Sequence, residues 1–437
     1  MIRLGLAVLA SIVLSFPVRA DVDIQTVTSP GGIDAWLVEE TAIPFVALEI
    51  RFMGGASLDL AGKRGATYLM TGLLEEGSGD LDARGFATAR DDLAASFGFD
   101  VGDDSLSISA RFLTENRDEA MALLRDAIVN PTFDQDAIER VRQQVLSGIR
   151  SESTDPGVIA GHTFDEIFFG DHPYATAYEG TAESVTALTR DDLVQAHARA
   201  LTREHVYVGA AGDISANELG EILDQLLGDL PAEGPELPPE ADLNISGGVT
   251  VVPFDVPQSI AVFGHRGIAR DDPDFFPAFI LNHVFGGSGI GSRLNDEVRE
   301  ERGLTYSIGT FFPGYDLADI YAGRLASAND RMGEAMDVIR AEWERIAREG
   351  ITAEELDAAK TYLTGAYPLR FDSNARIAGI MVGMQMTGLT PDYITTRNDQ
   401  VNAVTLDDVR RVAAELYRPQ DLRFVVVGQP AGVTPVN

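Results

Sequence analysis

Cysteine is absent from the 437 residues. That excludes disulfides, thiolate zinc sites and cysteine nucleophiles in one step. Histidine is scarce, with six residues at 162, 172, 197, 205, 265 and 283. No two of them are four apart, so no helix face carries the paired imidazoles of an HExxH or HxxEH zinc site. There is no GxSxG nucleophile elbow, and no P-loop lysine follows a glycine run. Proline is limited to 20 residues beside 45% hydrophobic content, which argues against disorder. Bases are outnumbered two to one, 34 against 68 acids, for a formal charge of −34. Such a surface repels nucleic acid and anionic membranes. After residue 20 no apolar run is long enough to span a bilayer.

What is present begins with Met1 to Ala20. Arg3 gives a positive end, LGLAVLASIVLSF an apolar core and Val18-Arg19-Ala20 a small-residue end. This reads as a secretory signal and predicts a periplasmic or secreted protein with no membrane span once it is removed. Removal takes away Arg3 and Arg19, giving 32 − 68 = −36. The remaining length allows two or more domains with sizeable cores.

The chain is organised around Gly286 to Phe312, GGSGIGSRLNDEVREERGLTYSIGTFF. Gly286, Gly287, Gly289 and Gly291 permit unusual backbone angles and close approach by another backbone. Ser292 is placed to cap a helix running to about Arg302, and Gly303 to stop it. Thr305 to Thr310 alternates like a half-buried strand. Arg299 and Tyr306 could then project beside the same loop.

Elsewhere the pattern alternates strands and helices. Phe45 to Phe52, Ser105 to Phe112, His205 to Ala211, Leu317 to Ala326 and Leu422 to Val427 read as strands. Gly65 to Leu74, Glu115 to Val129, Asp134 to Glu152 and Ser373 to Thr387 read as helices. Residues 231–243, opening with PAEGPELPP, form a proline- and acid-rich linker. The halves beside it repeat. Glu119-Ala120-Met121 recurs as Glu334-Ala335-Met336, 215 residues on. Leu188 to Leu193 recurs as Val404 to Val409, 216 on. Two matches at nearly one offset indicate tandem duplication. The expected architecture is α+β: two similar domains, 21–230 and 244–437, each a mainly antiparallel sheet with helices packed on one face.

His162 and His172, with Asp165, Glu166 and Asp171 between them, are the densest group of possible ligands, set against ordinary loop and helix-end histidines. GGSGIG lacks a preceding βαβ unit and runs into an acidic helix, so it is not a phosphate cradle.

The 286–312 stretch resembles the second-domain motif of the pitrilysin/insulinase (inverzincin) zinc peptidases, which include the mitochondrial processing peptidases. The likeness runs over nearly the whole chain after the signal. Arg299 and Tyr306, seven residues apart, match that family's arginine and tyrosine. Laid on its first-domain HxxEH pattern, the two histidine positions become Tyr68 and Gly72, the catalytic glutamate Thr71, and the third ligand Gly148. The resemblance thus implies a degenerate zinc site and no cofactor on this chain. It also implies that Arg299 and Tyr306 meet a peptide near the scissile bond, with Gly286, Gly287 and Gly289 in a substrate gate.

Some family members are heterodimers of a zinc subunit and a zinc-less one, and this chain resembles the second. The expected partners are an HxxEH-bearing zinc subunit and a peptide or unfolded protein. The alternative is a non-enzymatic structural or peptide-binding homodimer on the same fold. Read as residues alone, Arg299 could equally be a surface ion pair among Asp296, Glu297, Glu300 and Glu301. Tyr306 could equally be a core strand residue, and the glycine loop a helix–helix turn.

Overall fold

The computed structural model describes residues 22–436. The signal expected at 1–20 lies outside them. Six strands form the first sheet: β1 (Gln25–Thr28), β2 (Asp34–Glu39), β3 (Phe45–Met53), β4 (Ser96–Val101), β5 (Ser105–Leu113) and β6 (Val206–Gly212). Their spatial order is β1-β2-β6-β3-β5-β4. Five form the second: β7 (Gly248–Pro253), β8 (Gln258–Arg266), β9 (Ile308–Phe311), β10 (Ile320–Ala328) and β11 (Arg423–Gly428), ordered β9-β10-β8-β11-β7. Read from opposite edges the two orders coincide, except for the extra edge strand β1. In each sheet one neighbouring pair is parallel, β2 with β6 and β7 with β11, and the others are antiparallel.

The helices that position the sites are α1 (Ala66–Thr71), α2 (Arg117–Val129), α3 (Gln135–Glu152), α4 (Pro156–Phe169) and α5 (Arg190–Ala200). In the second half they are α6 (Phe275–Asn282), α7 (Met332–Glu349), α8 (Ala353–Ala366), α9 (Asn374–Met386), α10 (Tyr393–Ala403) and α11 (Leu406–Leu416). The repeated sequence segments take the same structural roles. Thr189 and Thr405 each close a capping box, with Asp192 and Asp408, at the start of α5 and α11. Ala120-Met121 on α2 and Ala335-Met336 on α7 are all buried in the core of their own half.

Helices cover one face of each sheet, and a single helix from the opposite half covers the other. On the first sheet, Ile377 and Met381 of α9 pack against Val38 and Ala211. On the second, Phe164 and Phe168 of α4 pack against Ile320, Ala322 and Val425. This explains why β11 is buried at every position: a strand covered on both faces reads as an unbroken apolar run.

Several expected boundaries move. α1 is regular only to Thr71, and the strand expected at 317–326 runs from Ile320 to Ala328. The strand expected to begin at Thr305 begins at Ile308, so Tyr306 precedes it. The Ala216–Leu227 helix and α10 were not anticipated, although Ser215 and Glu218 form a capping box at the head of the former.

Candidate functional site

The fold uses most of the 286–312 motif for itself. Ser292 Oγ accepts from Asn295 N (3.4 Å), as an N-cap does. Arg293 makes a two-pronged contact with Glu355, Nε–Oε1 and Nη2–Oε2 both 2.7 Å, and donates to the Gly350 carbonyl (3.0 Å). That ties the motif to the start of α8. Leu294, Val298 and Leu304 are buried. The helix is wider than expected: Asn295–Glu300 forms π-type turns. It ends at Gly303, which has φ +59. Gly303 N donates to Arg299 O and Leu304 N to Val298 O, both 2.9 Å. Thr305 Oγ1 donates to Ala326 O (2.7 Å), and Ser327 Oγ to Leu304 O (2.6 Å). Residues 304 and 305 are therefore pinned to β10.

Arg299 and Tyr306 remain outside this framework, as do the exposed acids Asp296, Glu300 and Glu301. Tyr306 is 86% exposed, which overturns the core-strand reading. Arg299 is partly exposed, and its ion pair is with the adjacent Glu300 (3.2 Å), itself a solvated residue. Such a pair contributes little to stability.

The glycines divide by cause. Gly289 and Gly291 have φ of +70 and +86, which side chains other than glycine rarely adopt. Gly286 is buried, and a Cβ there would stand 2.5 Å from Thr310 Oγ1. A Cβ at Gly287 would stand 2.5 Å from Asn282 Nδ2. The first pair shapes the loop, and the second lets β9 and α6 close on it.

In the first half, Tyr68, Thr71, Gly72 and Gly148 line a single cavity of about 400 Å³. The family resemblance aligned these four positions but gave no sign of the opposite wall, Tyr178 and Glu179. The wall forms because a glycine pair lets two backbones touch. Cβ atoms at Gly65 and Gly180 would stand 2.4 Å from the carbonyls of Glu179 and Arg64. The Tyr68 and Tyr178 rings meet at 5.7 Å, tilted by 60°. Burial raises the Tyr68 hydroxyl pKa above its usual value, with nearby Glu179, Glu152 and Asp100 adding to the effect. Burial, then Glu179, likewise raises the Glu152 carboxyl. His172 is engaged by the fold: its Nε2 lies 3.1 Å from Pro239 O, and its Nδ1 accepts from Tyr174 N (3.3 Å).

Residues 187–363 match the family model described as the peptidase M16 inactive domain. Across 390 residues the chain is 27% identical to a Helicobacter pylori protein named non-peptidase homolog YmxG, covering 89% of this chain and 90% of that one. It is 28% identical over 397 residues to an uncharacterized zinc protease of Mycobacterium leprae, covering 86% and 87%. A crystal structure titled peptidase M16 inactive domain, from Pseudomonas fluorescens, superimposes with a TM-score of 0.88 at 27% identity, over 95% of this chain and all of that one. Along nearly its whole described length the chain is similar to M16 peptidase-family proteins. At 15% identity, a chain of Complex III2 from Candida albicans shares the fold, with a TM-score of 0.78 over 93% of this chain and 96% of that one.

The residues of this chain do not fit the zinc of the M16 peptidases. Glycine offers no ligand atom at 72 or 148, and Thr71 Oγ1 donates to the Thr67 carbonyl (2.8 Å) within its own helix. A Cβ at Gly72 would meet Val141 Cγ1 at 3.1 Å, so an imidazole there would have to displace the α3 packing. Among the described residues no group of three or more His, Asp or Glu is arranged to hold a metal ion. A catalytic zinc needs three protein ligands and an open position beside a base.

Proposed function

We propose that this chain is the non-zinc subunit of an exported, heterodimeric M16 metallopeptidase. It supplies Arg299 and Tyr306 to a peptide whose cleavage occurs at a zinc carried by an HxxEH-bearing partner. One observation carries the reading. Within the Ser292–Tyr306 motif the fold employs Ser292, Arg293 and Thr305, while Tyr306 is exposed and Arg299 pairs only with the solvated Glu300. A guanidinium fork donates to a peptide carbonyl, and a phenol hydroxyl donates to an oxygen on which negative charge develops. Neither step requires the metal to be on the same polypeptide. The peptide lies as an added strand, and the 286–291 loop gates it.

The second reading is a non-enzymatic structural or peptide-binding homodimer. The name non-peptidase homolog given to the H. pylori relative favours it. Co-expression with an HxxEH-bearing M16 chain of the same organism separates the two. The heterodimer reading expects peptide cleavage in the mixture, none by this chain alone, and loss of about 100-fold or more on Arg299→Ala with Tyr306→Phe. A stable homodimer that ignores the zinc subunit, or a mixture indifferent to both substitutions, defeats it. Periplasmic or secreted location belongs to the same proposal and is checked by fractionating cells that express the full chain.

A further inference from the structure

The second half holds a cavity of about 630 Å³ among α6, α9, α10 and the segment after α8. Its size falls within the ~300–1,000 Å³ typical of small-ligand sites. Its charge runs against the rest of the molecule. Acids outnumber bases two to one in the sequence, yet every charged residue lining this cavity is an arginine: Arg270, Arg370, Arg376 and Arg397. Only Arg376 has a carboxylate partner among the described residues, Asp372 at 2.8 Å.

Arg397 is 6% exposed. Its Nη1 donates to Leu363 O (2.8 Å) and Asn398 Oδ1 (3.0 Å), both neutral acceptors. Its guanidinium carbon lies 4.6 Å from the centre of the Tyr367 ring. Arg270 lies 4.2 Å from the centre of the Phe275 ring, and its Nη2 donates to Tyr393 Oη (2.6 Å). Aromatic faces and neutral oxygens thus hold these cations where carboxylates are absent. A buried guanidinium without a counter-charge is costly, and an anion entering the cavity offsets that cost. Burial lowers the Arg397 pKa, Tyr393 and Tyr367 oppose the shift, and nearby Arg370 adds to it.

We propose that this cavity binds an oxyanion carried on an aromatic or apolar body, the anion between Arg270, Arg370 and Arg397 and the body against Phe275, Phe279 and Tyr367. A planar guanidinium fork grips carboxylate and phosphate oxygens two at a time. Rings already offset against guanidinium groups give the body a surface to stack on. Two sources share this chemistry: the C-terminal carboxylate of a peptide ending in a hydrophobic residue, and a small aromatic acid. The site is separate from Arg299 and Tyr306. It lies toward the N-terminal end of α6, while the glycine loop follows the other end, about 12 Å along the helix at 1.5 Å per residue.

The test is calorimetric titration of the full chain with four probes: acetyl-Ala-Ala-Phe with a free carboxylate, the same peptide amidated, phenyl phosphate, and inorganic phosphate. Binding of the free acid, weakened tenfold or more by amidation, identifies a peptide end. Binding of phenyl phosphate well above inorganic phosphate, with both peptides weak, identifies a small aromatic acid. In either case Arg270→Gln and Arg370→Gln each weaken binding about tenfold, and Arg299→Ala with Tyr306→Phe leaves it unchanged. Arg370 is exposed, so its variant tests the site without disturbing the core. Equal binding of acid and amide with inorganic phosphate no weaker than phenyl phosphate, no binding at millimolar concentration, or indifference to both arginine variants overturns the proposal.

Discussion

Adding one methyl group should move stability in opposite directions at Gly148 and Gly286. Gly148 lies inside the 18-residue helix α3, and an ideal Cβ there meets nothing within 4 Å. Gly148→Ala removes backbone freedom from the unfolded chain without strain, so it stabilises by about 0.5–1 kcal/mol. At Gly286 the new carbon would press on Thr310, whose Oγ1 is held between Asn282 Oδ1 (2.7 Å) and Tyr321 Oη (2.9 Å). Tyr321 Oη is bonded in turn to Tyr417 Oη (2.9 Å), so the network cannot easily give way. Gly286→Ala should cost about 1–3 kcal/mol. Denaturant midpoints of the two variants check both signs. The sequence announced that glycine was needed in the 286–291 loop but not which physical reason applied where. Positive φ and close approach look alike until the neighbouring backbone is known. The exposure of Tyr306 was illegible for a related reason. Alternation after Gly303 placed it in the strand, whereas bonds from Thr305 and Ser327 hold the chain two residues short of pairing.

At the scale of elements, periodicity revealed the duplication and the buried face of each helix, but not what that face meets. Nothing in the α9 pattern says that it crosses the other half's sheet. What permits the crossing is a glycine in the sheet. A Cβ at Gly209 of β6 would stand 2.5 Å from the Ala378 carbonyl of α9, a backbone atom that cannot rotate aside. The same device recurs across the duplication, where a Cβ at Gly264 of β8 would stand 3.0 Å from Phe164 Cζ of α4. Gly209→Ala should therefore lift α9 from the sheet. It also strains the Gln385 Nε2–Val208 O bond, now 2.9 Å. The expected cost is about 1–3 kcal/mol, with faster amide exchange concentrated in α9 rather than spread over β6. Uniform exchange across the first half would mean that the crossing is not set by this glycine. Residues joined through such contacts explain the partial legibility of the cavity lined by Tyr68, Thr71, Gly72 and Gly148. Tyr68 and Thr71 lie on α1 and Gly72 caps its end, so the three were readable together. Tyr178 and Glu179 reach them only through the backbone approach of Gly65 and Gly180.

For the whole molecule, the two halves meet at a group of carboxylates, half-buried except for the more exposed Asp316, with hydroxyl and backbone partners, and this contact should respond to pH. Asp316 N donates to Asp104 Oδ2 (3.2 Å), Leu317 N to Tyr174 Oη (3.1 Å) and Tyr315 Oη to Asp165 Oδ1 (3.4 Å), each across the halves. Burial raises Asp103 to about 6, Asp165 to about 7 and Asp316 to about 6. Arg64 opposes the shift at Asp103 and Arg51 that at Asp316, while Asp103 adds to the shift at Asp165. An acid whose pKa is raised on folding holds a proton that the unfolded chain releases. Its contribution is full below the ordinary value of 3.8 and is lost as pH rises through about 6 to 7. These groups therefore make the contact between halves weaker at pH 8 than at pH 5. Asp165→Asn keeps an oxygen for Tyr315 and cannot ionise. It should raise the melting temperature at pH 8 and by a smaller amount at pH 5, flattening the profile between them. Thermal unfolding of both proteins across that range decides the matter. A variant less stable by the same amount at every pH would show that Asp165 is ionised in the folded chain and that the carboxylate itself holds the halves together.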